Sequence, residues 1–206
     1  MLANAVADRE AVAAAFDAFD LACEQLARLD FTRMTPAELF ELQSRREHRV
    51  RTTAVVDHRI LAALQAQATP KDIGARTWAQ ILITRLRISR SEAGRRVADA
   101  QDLGPRHCMD AEILEPALPV CAAALADGII NDGHVHEIRT ALGKAAKYNS
   151  PAENAELERV LVRAAGGITP HVLREVAGRA LYRVGRVRAH HRAGVGRSRD
   201  QQPRRR

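Results

Sequence analysis

The residue types able to hold a metal or attack a bond are few in this sequence, and their spacing suits neither task. His134 and His136 stand two apart, which puts them on different sides of a helix. Neither has the i, i+4 partner or the H-E-x-x-H setting of a helical zinc site. His134 reads as a cap-region histidine and His136 as a surface one. His107-Cys108 invites a metal reading with Cys121, but one adjacent pair plus a distant thiol makes poor ligand geometry. Ser89, Ser91 and Ser150 lie at expected helix starts, where capping accounts for their hydroxyls, and no Gly-rich phosphate loop is present. No catalytic residue, metal ligand or cofactor site is assigned. The expectation is a chain that is not an enzyme and has no small-molecule substrate.

Arginines are the second chemistry-bearing group, and what they could recognise is phosphate. The stretch LRISRSEAGRRVADA has the helix, short turn and Arg-bearing helix of a DNA-reading helical hairpin, with Arg90, Arg95 and Arg96 as the contacts. It lacks a tight glycine turn, and Arg95 and Arg96 equally suit the solvated face opposite Ala93 and Val97. Arg45, Arg46, Arg49 and Arg51 form a second basic group. Glu41 lies four before Arg45 and Glu47 four before Arg51, the orientation of paired charges on a helix surface. The last 24 residues hold nine arginines and one acid, Asp200, leaving 23 bases against 24 acids in residues 1–182. Arg186, Arg188, Arg192, Arg197 and Arg199 of this tail could displace counterions from a nucleic acid, a sequence-independent affinity typically about 10⁻⁴ to 10⁻⁶ M. DNA, through the tail or the hairpin, is the candidate partner, the alternative being that both are solvated charge without a partner.

These residues hang on elements whose starts are written into the sequence. Val12, Phe16, Phe19, Cys23, Leu26 and Leu29 recur at three- and four-residue steps and predict one amphipathic helix over residues 5–29. Thr35-Pro36-Ala37-Glu38 supplies a capping hydroxyl, a proline at the first helical position and a Glu three after the cap. The helix it opens meets no Gly or Pro until Pro70, so it is predicted to run to about Ala68 as a spine roughly 50 Å long. Leu39, Leu42, Val50, Ile60, Leu61 and Leu64 are its expected apolar face, interrupted by the polar run 43–49. After a loop at 70–75, two further helices are expected, the second opened by a Ser89/Glu92 capping box. Trp78, Ile81, Leu82, Leu86, Ala93, Val97 and Ala100 are their predicted core. Gly104-Pro105 breaks the pattern, the stretch to Glu115 reads as irregular, and an internal boundary is placed near 104–117. Short helices follow: 119–126, 131 or 132 to about 145, one opened by Ser150-Pro151 and closed at Gly166-Gly167, and a last from Thr169-Pro170 to about Val184.

The fold class expected is therefore all-α, with about eight helices: one long spine plus a cluster of short ones over 1–184, then a basic tail, 185–206, expected to be disordered. Aromatics at 3% leave a core of Ala, Leu, Val and Ile, better suited to packing helices closely than to lining a broad pocket. Three cysteines at irregular spacing argue against a disulfide framework. The acidic, amphipathic N-terminus lacks the basic patch and apolar run of a signal peptide, and no stretch reaches membrane-spanning length. A cytoplasmic protein with no membrane partner is expected, its oligomeric state unspecified.

Three blocks, TWAQILITRLRISRSEAGRRVADAQDL, LPVCAAALADGIINDGHVHEIRTAL and LERVLVRAAGGITPHVLREVAGRAL, resemble the mycobacterial thirteen-E-twelve repeat proteins, whose helical front half is the domain of unknown function two-two-two. With the long helix before them they cover roughly residues 30 to 184. Leu118-Pro119, Gly128, Ile130 and His134 carry the most specific part. The resemblance implies an all-helical domain followed by an HNH endonuclease module, in which clustered His and Asn residues hold a metal and activate water. After Leu181-Tyr182 the sequence departs from that pattern. His190-His191 lacks the Asn, the second metal-binding His and the surrounding hairpin-plus-helix sequence. The expectation is thus a non-catalytic helical fragment of an HNH-associated, mobile-element-like repeat protein, with a tail that out-of-frame translation of GC-rich DNA would produce. The alternatives are a DNA-binding or protein-docking module and a residual nuclease.

Overall fold

The computed structural model describes residues 8–107 and 113–181, the side chain of His107 excepted. Among them are eight α-helices: α1 (Arg9–Ala27), α2 (Pro36–Gln67), α3 (Trp78–Leu86), α4 (Arg90–Leu103), α5 (Pro119–Ala126), α6 (Asp132–Ala145), α7 (Pro151–Ala165) and α8 (170–181). A 3₁₀ turn, Pro70–Ile73, follows α2. The fold is all-α, as expected. One correction concerns the stretch predicted to be irregular: β1 (Arg106–His107) and β2 (Ile113–Leu114) pair antiparallel, a two-residue ladder too short to leave an alternating pattern in the sequence.

The capping signals act as their chemistry requires. Thr35 and Glu38 exchange bonds at the start of α2, with the Thr35 N–H donating to Glu38 Oε2 at 2.8 Å. Ser150 and Glu153 do the same for α7, and Thr69 and Asp72 for the 3₁₀ turn. Ser89 accepts from the Glu92 N–H at 3.1 Å, but the expected reciprocal bond is replaced: the Glu92 carboxylate turns to Arg95 and Arg96, which offer charged donors. His134 closes the cap of α6. Its N–H donates to Asn131 Oδ1, its Nδ1 faces the Asn131 N–H, and its Nε2 lies 2.8 Å from the Ile168 carbonyl.

The chain divides into two compact units, residues 1–45 and 46–206, with the division inside α2. The Leu118 N–H donates to the Asp102 carbonyl at 2.8 Å, and Leu103 shares one core with α5 to α8. In the first unit, Asp8 caps α1 and Asp30 accepts from the Thr32 N–H in the turn that follows. None of the described residues of that unit is buried.

The second unit holds the cores. The larger one gathers Leu125, Ile130, Ile138, Leu161 and Leu173 with Cys121 and Ala141 from α5 to α8. The smaller one sets Leu61 of α2 against Leu82, Ala93 and Ala100, with Trp78 and Val97 half-buried around it. Leu86 is exposed rather than core, because α3 ends there and the chain turns at Arg87, φ 56°. The buried face of α2 also differs from the expected one. His58, Leu61 and Ala62 point inward with Ala54 half-buried, while Val50, Ile60 and Leu64 face outward. Small side chains explain the choice: where Ala54 and Ala62 lie, a neighbouring backbone can come close.

Two glycines mark those approaches. At Gly104 an added Cβ would meet the Ala100 carbonyl oxygen, and both the Ala62 Cβ and the His58 carbonyl oxygen at 3.2 Å. At Gly128, φ 68°, the chain leaves α5 in the left-handed region, His48 covers the glycine, and Arg51 Nη1 donates to its carbonyl at 3.2 Å. Replacing Gly104 with Ala should therefore force α2 and α4 apart and lower unfolding stability by about 2 kcal/mol in a urea titration. An unchanged midpoint would show that the approach is not tight.

Candidate functional site

Helix α4 carries Glu92, Arg95, Asp99 and Asp102 at three- and four-residue steps, so one stripe of the helix sets a single guanidinium among three carboxylates. The 14-residue α6 carries Asp132 in its first turn and Arg139 two turns later. The two stripes close on each other. Arg95 contacts Glu92 at 2.7 Å, Asp99 at 3.0 Å and Asp132 of α6 at 2.6 Å. Arg139 reaches back to Asp99 at 2.7 Å and Asp102 at 2.5 Å, and Arg96 completes the set by donating to Glu92 at 2.7 Å. Asp99 is the buried hub, its side chain only 4% exposed and its two oxygens bonded to different guanidinium groups.

Burial and charge set the protonation of this cluster. The two arginine hydrogen bonds hold the Glu92 carboxyl down to about 2. Buried in α2, His58 is lowered chiefly by desolvation. Asp99, Asp132 and Asp57 pull the other way, and Arg95 adds to the lowering. A neutral imidazole under an ion-pair lattice is therefore the ground state near neutral pH.

Two further buried carboxylates are each satisfied by a donor from another helix. Leu118, the N-cap of α5, has no side-chain oxygen, and Glu158 of α7 takes over the task by accepting from the Cys121 N–H at 2.9 Å. Burial first, and Glu158 second, push the Cys121 thiol well above the usual range, which leaves it unreactive at neutral pH. Arg174 of α8 lies over buried Glu137 at 2.6 Å and holds its carboxyl below the ordinary value.

Of the arginines singled out from sequence, Arg95 and Arg96 are half-buried and engaged in this lattice, whereas Arg90 is exposed at the first position of α4. Arg186, Arg188, Arg192, Arg197 and Arg199 lie outside the described residues, as do Cys108 and the side chain of His107. Arg51 pairs with Glu47 at 2.9 Å, as their spacing predicts. Among the described residues no three His, Cys, Asp or Glu side chains converge to hold a metal ion, and no helix is long and apolar enough to cross a membrane. Sequence reasoning missed Asp99, Asp102, Arg139, His58 and Glu158. The i, i+4 spacing of Arg95 and Asp99 was a usable signal, but the pairings between helices carry none.

The profile of the family described as "Domain of unknown function (DUF222)" matches residues 40–206, which include both cores and the whole ion-pair lattice. The chain belongs to this family. Among its relatives, "Uncharacterized protein Rv3466" of Mycobacterium tuberculosis is 38% identical over 131 residues, 64% of this chain and 59% of that protein. "Uncharacterized protein Mb1614c" of Mycobacterium bovis is 37% identical over 139 residues, 68% and 61% of the two chains. "Uncharacterized protein Rv1128c" of Mycobacterium tuberculosis is 33% identical over 173 residues, 84% of this chain but 38% of its own length. The match thus spans less than two thirds of each of these relatives. No solved structure was found to be similar to the DUF222 chain.

Two outcomes follow from the lattice. Replacing Arg139 with Ala strips Asp99 of one of its two guanidinium partners and Asp102 of its own, and should destabilise the DUF222 fold by about 2 kcal/mol in chemical denaturation; the Arg139→Ala, Asp99→Asn double variant should recover part of the loss. His58 has its folded value lowered, so its contribution is fully present above the unfolded value near 6.5 and is lost as pH falls below it. Stability measured from pH 8 to pH 5 should decline from about pH 6.5 downward, and the decline should flatten in a His58→Asn variant. Equal slopes in both proteins would refute the assignment.

Proposed function

We propose that this chain is a non-catalytic helical scaffold: the part that, in the HNH-associated repeat proteins it resembles, stands ahead of a nuclease module and positions it. The observation that carries this reading is the pairing of every carboxylate of the α4–α6 lattice with a guanidinium group. Glu92, Asp99, Asp102 and Asp132 are each bonded to Arg95 or Arg139, and Asp99, at the centre, has both oxygens engaged. A general acid or base needs an open lone pair or a proton within reach of substrate, and Asp99, buried with both oxygens bonded, offers neither. Cys121, buried with a raised thiol value, adds no nucleophile.

A second reading, contact with duplex DNA through the α3–α4 turn, is favoured by one observation. Arg87 takes the left-handed conformation usually left to Gly or Asn, and it lies between Arg85 and Arg90 with all three side chains exposed. A turn that holds a long cation in a strained conformation suits phosphate contact.

The purified chain, incubated with plasmid and Mg²⁺ or Mn²⁺, is expected to leave the DNA uncut. Chelator-sensitive nicking that is lost when one of its own histidines is replaced would overturn the scaffold reading. In a duplex-shift titration, DNA contact by the turn would give salt-sensitive binding that survives removal of residues 183–206. The salt slope should then shrink by about one for each of Arg85, Arg87 and Arg90 replaced by Gln. Binding that disappears with the tail would assign the contact to the tail alone.

A further inference from the structure

All four phenylalanines of the chain lie between residues 16 and 40, and all are 40–75% exposed. The cores of the second unit contain none of them. Along α1, Val12, Phe16, Phe19, Cys23 and Leu26 follow one another at steps of four, three, four and three, the spacing of a coiled-coil seam. Every residue from Asp8 to Arg33 is exposed, so within its own unit nothing covers this seam. A 19-residue helix with that much bare apolar surface is marginal in water by itself.

The margins of the seam say what fits it. Ala13, Ala15, Ala22 and Ala27 flank the stripe, with Asp20 as the one charge among them. Small flanks allow another helix to come close, and a seam without charges between residues 12 and 19 offers no ionic pattern to a nucleic acid or a charged peptide. What matches it is a stripe of the same width, register and alanine margins, which a second copy of this chain presents. We propose that α1 is a homodimerisation helix, pairing antiparallel with α1 of a second copy about a two-fold axis.

Direction follows from charge. A parallel pair would set Arg9 against its own counterpart, align the two helix dipoles and lay one acidic run beside the other. The antiparallel pair opposes the dipoles and brings Phe16 against Phe19 of the second copy, Val12 against Cys23, and Arg9 beside Leu26 and Glu24. Given roughly 150–250 Å² for an aromatic side chain and the exposures above, the stripe buries on the order of 400 Å² per copy, about half of one partner's share in a standard interface. The dimer is accordingly a reversible one, with a Kd on the order of tens of micromolar.

Sedimentation velocity on the full chain, from about 1 to about 200 µM, should show a monomer converting to a dimer as concentration rises. In the Phe16→Glu, Phe19→Glu variant the association should weaken by about a hundredfold or more, while helical content by circular dichroism at about 1 µM, where both proteins are monomers, matches the wild type, since both side chains are exposed in the monomer. A wild-type chain that stays monomeric throughout would overturn the proposal, and so would a dimer that persists in the variant. In a Cys108→Ser background, copper-phenanthroline oxidation of a Val12→Cys variant should trap the dimer through the new thiol and Cys23. Trapping through Cys23 without that substitution would overturn the antiparallel arrangement.

Discussion

Asp99 is the point on which the second unit turns. Its carboxylate is buried, and an unpaired buried charge is costly enough that the fold around it must bring two guanidinium groups to it. One comes from its own helix four residues earlier, the other from α6. The second forces α4 and α6 into a fixed register, because Arg139 must reach Asp99 and Asp102 while Arg95 reaches Asp132 in the opposite sense. Hydrophobic contact does little to link the two helices, since Ala93 and Ala100 of α4 pack in the smaller core and Ala141 of α6 in the larger; the paired charges join them. With α4 and α6 in place, Leu103 joins the larger core and Ala93 and Ala100 the smaller.

The same economy of side-chain size runs through the rest of the unit. With phenylalanine absent from these cores, the helices meet through alanine and glycine, as where α2 passes the Gly104 backbone and where His48 and Arg51 seat on the Gly128 turn. Close helices leave little room for cavities and bring polar groups of one element within reach of another. That is why Glu158 can serve as the N-cap of α5 from a helix far along the chain. Such packing serves rigidity, which is what a scaffold that positions another module needs.

The first unit inverts this arrangement. It carries the chain's phenylalanines on its surface and buries none of its described residues. The DUF222 match begins at residue 40, inside α2, so α1 lies ahead of the part shared with the family. A helical core matched by the family is thus joined to a helix that carries exposed apolar side chains.

What could be read from the amino-acid order was local. Thr35-Pro36, Ser150-Pro151 and Asn131 with His134 place helix starts because a cap needs only residues three apart, and the uninterrupted run before Pro70 sets the length of α2. The seam of α1 is legible for the same reason, since its spacing lies within one helix. Tertiary structure alone decided which face of α2 turns inward, that Glu92 abandons its cap for two arginines, and that β1 and β2 pair. Each of those outcomes depends on groups distant in sequence competing for the same donor, acceptor or volume. A linear pattern records the spacing of residues along one element but not which partner another element will bring.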